Sequence, residues 1–214
     1  MTNEQQPVTI LIVGGGTAGW MSAALLARFS ENGYRIILVE SEDIGTVGVG
    51  EATIPQINLF NAALGLDEDD FIRETQGTFK LGIEFVDWHQ KGARYMHAFG
   101  GVGRDIGIVP FQHYWHRARQ LGVAKDLQHY ALNEVAALAG RMQRGTPRTS
   151  DRLHDMPHAF HFDAGLYAAY LRRFAEARGA ERVEGKIVDA TLGGETGHVA
   201  SVTLADGRTI AADY

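Results

Sequence analysis

A glycine-rich run placed directly between an apolar strand and a helix constrains this chain more than any other feature. Val8 to Val13 is apolar and largely β-branched, Gly14-Gly15-Gly16-Thr17-Ala18-Gly19 follows at once, and a helical pattern then continues to about residue 31. Glycines 14, 16 and 19 have the G-x-G-x-x-G spacing. The first permits a tight turn, the second lets the backbone approach a pyrophosphate, and the third lets helix and strand pack closely. Phosphates held there face the unpaired N–H groups and the positive dipole end of the helix. A second apolar strand, 35–40, ends in Glu40, 26 residues beyond Gly14. A carboxylate at that place accepts hydrogen bonds from a ribose diol and repels a 2′-phosphate, which favours FAD or NAD over NADP. The strand–helix–strand context predicts a Rossmann-like α/β fold with Gly14, Gly16, Thr17, Ala18, Gly19 and Glu40 on a dinucleotide.

Composition narrows the remaining classes. The 214 residues, 45% of them hydrophobic and 21% charged, suit one domain with a substantial core. A net charge of −6 without a long basic run argues against nucleic acid or an anionic membrane as partner. Cysteine is absent, which excludes disulfides, thiol nucleophiles and thiolate metal sites. No apolar run approaches the ~20 residues of a membrane span, and Met1 to Pro7 is short and polar, so a soluble cytoplasmic protein is expected. The nine histidines include His113/His116 and His154/His158, but Pro157 spoils helical spacing in the second pair and no HExxH occurs. No metal is expected, and no G-x-S-x-G suggests a serine hydrolase.

Along the chain, helix 17–31 is expected to stop at Asn32-Gly33. A glycine-rich loop spans 41–54, after which Thr53 can cap a short helix that begins at Pro55. A further helix, 67–74, is acidic in its first turn. Residues 78–88 alternate as one half-buried strand, with Phe79, Leu81, Ile83 and Phe85 on one face and Lys80, Gly82 and Glu84 on the other. Spacing puts Glu84 roughly 13 Å from Lys80, too far for a direct partner. Residues 95–99 suggest another strand, 100–109 a loose glycine-rich stretch, 111–121 and 124–144 two helices, and 145–158 an exposed connection. Asp163 can cap a helix running to Arg178, stopped by Gly179. Strands at 181–184, 186–192 and 199–204 follow, Asp206-Gly207 is a hairpin turn signal, and 208–214 begins a further strand. This pattern predicts a parallel sheet with an antiparallel addition near 181–212, incomplete at the C-terminus, and a substrate-facing insertion at about 85–160 within a single domain, 1–214.

Three more clusters share one affinity. Gly48-Val49-Gly50-Glu51-Ala52-Thr53-Ile54-Pro55 fits G-x-G-x-x-T-x-P, Thr78-Phe79-Lys80 opens a strand ending Phe85-Val86-Asp87-Trp88, and His161-Phe162-Asp163-Ala164-Gly165-Leu166-Tyr167 precedes a helix. With the first glycine motif, these make the chain resemble the N-terminal part of a flavin-dependent tryptophan halogenase. The resemblance implies a glutathione-reductase-type FAD fold and reduced FAD supplied by a separate flavin reductase. It implies a halide co-substrate oxidised to hypohalous acid, and a lysine, here Lys80, that receives the halogen after its passage through a tunnel. That lysine presents the halogen to an aromatic carbon; burial would favour the chemistry by lowering the amine's pKa.

By the same resemblance, loop 41–55 is a strap in which Gly48, Gly50 and Thr53 approach the flavin and Pro55 shapes the substrate side. His97 and Phe99 flank an indole-like substrate, tryptophan or indole, that is free and not carrier-bound, and Ile187 contacts the adenine. A homodimer is compatible with it. The family's W-x-W-x-I-P signature is missing from 1–214, whose tryptophans are Trp20, Trp88 and Trp115. The resemblance therefore implies that this motif, a glutamate partner of the lysine and much of the substrate pocket lie beyond Tyr214, with 1–214 inactive alone. Alternatives of the same fold class are a flavoprotein monooxygenase or other FAD oxidoreductase; a different class is a non-catalytic dinucleotide-binding module.

Overall fold

The computed structural model describes residues 7–30, 33–44, 50–144, 156–194 and 197–214. Its elements, in chain order, are β1 (Val8–Val13), α1 (Thr17–Phe29), β2 (Tyr34–Glu40), β3 (Gly50–Ala52), α2 (Gln56–Leu64), α3 (Glu68–Thr75), β4 (Thr78–Lys80), β5 (Gly82–Val86) and β6 (Arg94–Ala98). They continue with α4 (Phe111–Gln120), a 3₁₀ turn at Leu127–Tyr130, α5 (Leu132–Leu138), β7 (Ala159–Asp163), α6 (Ala164–Glu176), β8 (Glu181–Glu184), β9 (Ile187–Leu192), β10 (Val199–Leu204) and β11 (Thr209–Ala211). Two compact units result: one of Met1–Glu51, Phe60–Gly77 and Phe162–Tyr214, the other of Ala52–Leu59 and Thr78–His161.

The first unit is built on a parallel sheet in the order β1-β2-β8. Ile36 to Val39 of β2 are all buried, the near-continuous apolar run expected of a central parallel strand. Helices α1 and α6 pack together through small residues, Ala23 and Ala24 of the one and Ala164, Ala168 and Ala175 of the other being buried. Phe71, Phe162 and Tyr167 meet edge to face with centroids 4.9–5.4 Å apart, and the Tyr167 hydroxyl donates to Asn61 Oδ1 at 2.7 Å. That buried hydroxyl is pushed to a higher pKa by desolvation.

The antiparallel addition, β11-β10-β9, packs Ile187, Leu204 and Ile210 against Ile37 and Val39. It starts later than the sequence suggests: β8 runs parallel to β2, because the crossover through α6 returns the chain to the same edge direction. The Asp206-Gly207 turn joins β10 to β11 as expected. Beyond β11, Tyr214 exchanges backbone hydrogen bonds with Thr9 (3.2 Å) and Leu11 (2.8 Å) along β1.

The second unit contains the antiparallel pairs β4–β7, with Lys80 opposite Ala159 and Thr78 opposite His161, and β5–β6, with Ile83 opposite His97. Residues 78–88 are therefore not one strand. The ladder switches partner at Leu81, which is buried and whose carbonyl accepts the Phe99 N–H at 2.8 Å. Alternation holds in β5 but fails at Lys80, which is buried beside Leu81. The expected helix 124–144 is also wrong. Only the 3₁₀ turn and seven residues of α5 form, and Asn133 is drawn inward to donate to Pro157 O at 2.6 Å. Residues 50–52 are a strand where a loop was expected; 45–49 and 145–155 lie outside the described residues. Met156 is buried, contrary to an exposed connection there.

Candidate functional site

In the first unit, a cleft of about 920 Å³ opens at the N-terminus of α1. Gly14, Gly16, Thr17, Ala18, Glu40 and Ile187 line it, as do Gly15, Arg172 and Arg182. Each motif glycine has its own reason. Gly14 has φ +107°, a conformation that L side chains rarely adopt. A Cβ at Gly19 would lie 1.9 Å from Gly14 O, so helix and turn touch backbone to backbone. A Cβ at Gly16 would meet nothing within 4 Å, which leaves open space where a phosphate would meet the helix end. No side chain caps α1, so the donors of its first turn remain for a ligand. Thr17 Oγ1 donates to Ala164 O at 3.4 Å. These residues fit the nucleotide half of FAD.

Glu40 folds over this turn. Trp20 Nε1 donates to its Oε2 at 3.2 Å, Arg182 Nε donates to its Oε1, and Arg172 lies 3.7 Å away. Arg182 also pairs with Glu42 at 3.0 Å and with Glu184. A Cβ at Gly15 would fall 1.4 Å from Glu40 Oε2, so the carboxylate occupies the space that a larger residue would need. Trp20, Arg172 and Arg182 were not singled out from the sequence. A buried tryptophan needs a partner for its N–H, which is a usable signal; nothing in the linear sequence links Arg182 to a carboxylate 142 residues away.

In the second unit, Lys80 is 7% exposed, and its Nζ donates to Thr53 O at 2.8 Å. The Phe99 ring centroid lies 5.6 Å from that nitrogen. Burial lowers the Lys80 pKa from its ordinary value. Burial, and then the charge of Lys80, lowers that of His161. Thr53 is not a helix cap: its hydroxyl donates to Phe160 O (3.0 Å) and accepts from Phe160 N (3.1 Å). This clasp fixes the carbonyl that holds the amine. Pro55 follows two residues on, half-buried, its carbonyl accepting the Asn58 N–H at 3.1 Å. His97 is exposed on β6, and Glu84 pairs with Arg94 at 2.8 Å, so it is no partner of Lys80. Lys80, Thr53 and Phe99 are thus brought together. Gly50 opens β3, and Gly48 lies outside the described residues. Among the described residues, no group of three or more His, Asp or Glu is placed to hold a metal, and no helix is long and apolar enough to cross a membrane.

A glycine turn over a nucleotide-sized cleft, on a parallel sheet, is the architecture of a dinucleotide-binding α/β protein. The sequence profile of the tryptophan halogenase family matches residues 9–214, and the chain belongs to that family. Similar solved structures include Xcc4156, a flavin-dependent halogenase from Xanthomonas campestris (44% identity, TM-score 0.89). BrvH, a flavin-dependent halogenase from Brevundimonas sp. BAL3, is similar too (42%, 0.87). They cover 98% and 97% of this chain, which covers 41% of each. Tryptophan 7-halogenase RebH from Lentzea aerocolonigenes is 36% identical over 219 residues, 95% of this chain and 41% of RebH. The chain spans about two-fifths of the length of these relatives, and its fold is that of their N-terminal part.

Proposed function

We propose that this chain supplies the FAD cleft and the halogen-carrying lysine of a halogenase acting on tryptophan or a simple indole. The observation that carries the reading is the buried Lys80 amine, held on Thr53 O beside Phe99. Gly14 to Ala18 and the α1 N-terminus would hold the pyrophosphate, Glu40 the ribose, and Ile187 the adenine; Gly48, Gly50 and Thr53 would lie on the flavin side. FAD reduced by a separate flavin reductase would activate dioxygen, the two-electron oxidant that takes halide to hypohalous acid. Lys80 then acts in one of two ways. As an ammonium it donates a hydrogen bond to hypohalous acid, which gives its halogen to the ring and leaves as water. As a neutral amine it exchanges an N–H for N–halogen, releasing water, and the ring carbon then takes the halogen while its proton returns to the amine. Withdrawal from water makes the neutral amine easier to reach. Phe99, His97 and Pro55 would flank an aromatic substrate, and residues 85–160 would form the substrate-facing part of the domain.

The test is halide-dependent turnover by the full-length protein with reductase, FAD, and tryptophan, indole, a phenol or a carrier-tethered pyrrole. Lys80→Ala should abolish aryl halogenation with FAD affinity unchanged. Product above a tenth of wild type would refute the lysine's role. Turnover of the tethered pyrrole alone would refute the substrate assignment.

A further inference from the structure

A second cleft, of about 400 Å³, lies within the second unit. Its walls come from β6 (Tyr95), α4 (Trp115, Arg119), the chain at Asp126 to Gln128, and α5 (Glu134). None of the residues placed around Lys80 lines it. Its volume is in the range of small-molecule sites.

Charge identifies what the cleft suits. Arg119 and Asp126 lie 3.8 Å apart and offset one another, and the Arg119 guanidinium sits over the Trp115 ring, 5.1 Å from its centroid. Glu134 is different. It is 7% exposed, and no hydrogen bond or ion pair engages it among the described residues. It lines the cleft without a partner, so a cation entering there meets an unpaired carboxylate. The Trp115 N–H is already given to Lys125 O at 3.0 Å, so the indole offers its ring surface and no donor. An acidic group between aromatic walls is the recognition chemistry of an organic cation.

We propose that this cleft binds a small organic ammonium ion carrying an apolar body, with Glu134 as counter-charge and Trp115 and Tyr95 as walls. The inference stands apart from the halogenation reading, and its probe is chosen without an indole for that reason. Phenethylammonium, titrated into the full-length protein by calorimetry, should bind saturably and at least tenfold tighter than phenethyl alcohol, its uncharged counterpart. Glu134→Gln should weaken the ammonium at least tenfold and leave the alcohol unchanged. The same variant should melt at an equal or higher temperature, since no partner of the carboxylate is lost. Equal binding of ammonium and alcohol would overturn the proposal, as would no binding of either. A lowered melting temperature for Glu134→Gln would show that the carboxylate supports the fold, and would overturn it as well.

Discussion

Lys80 keeps its amine where water cannot fully solvate the charge, and His161 feels both that burial and that charge. The consequence for stability has a definite sign. The native Lys80 pKa lies below 10.5, so between the two values the unfolded chain binds more protons and this contribution to stability rises with pH. His161 is likewise depressed from 6.5, so its contribution is intact above that pH and is lost as pH falls toward the native value. Replacing Lys80 with Met should raise the His161 midpoint toward 6.5, as read from its imidazole proton shifts; an unchanged or lower midpoint would deny the coupling. The glycines make a sharper set. Gly19→Ala should lower the melting temperature, because its methyl meets Gly14 O at 1.9 Å. Gly16→Val should leave folding intact and cost FAD affinity, its side chain entering open space at the helix end. Gly15→Ala should cost about as much FAD affinity as Glu40→Ala, and the double variant should add little, since both act through one carboxylate.

Caps and partner switches govern the elements. Asp67 accepts from the Asp69 and Asp70 N–H groups at 2.9 and 3.0 Å, and Asp163 accepts from the Leu166 N–H at 2.8 Å. Asp163 is legible as a cap in the sequence, because a cap acts within three residues; Asp67, expected as the first helical residue, instead caps α3. Asp163→Ala should cost about 1 kcal/mol, measured by denaturant unfolding, and Asp163→Asn much less. Helix 124–144 was misread for the opposite reason. Apolar spacing there resembles a helix, but Asn133 reaches Pro157 O, and Ala131 breaks the ladder to bridge Val102. The strand at 78–88 fails similarly: Leu81 is where β4 leaves for β7 and β5 turns to β6. Alternation along one segment carries no record of which partner each half will take.

At the scale of the molecule, ligand binding should protect one unit selectively. FAD stabilises whatever it binds in the native state by mass action. Hydrogen exchange with and without FAD should therefore slow in residues 14–24, 36–42 and 181–185 and leave 111–138 unchanged. Equal slowing of α4 and α5 would show that the nucleotide contacts are wrongly placed.

The glycine turn at the cleft was legible from sequence because its geometry is local: Gly14, Gly16 and Gly19 act on their own turn, and β1 and β2 bracket it. Lys80 entered through resemblance, since spacing alone puts it on the polar face of a strand. Tertiary structure decided the rest. It buried Lys80, gave its amine the Thr53 carbonyl, and set the Phe99 ring beside it. It also brought Arg182 to Glu40 and set Glu134 in the wall of a second cleft. Each depends on residues far apart in sequence meeting across strands or helices, and pairing of that kind leaves no periodic trace in the chain.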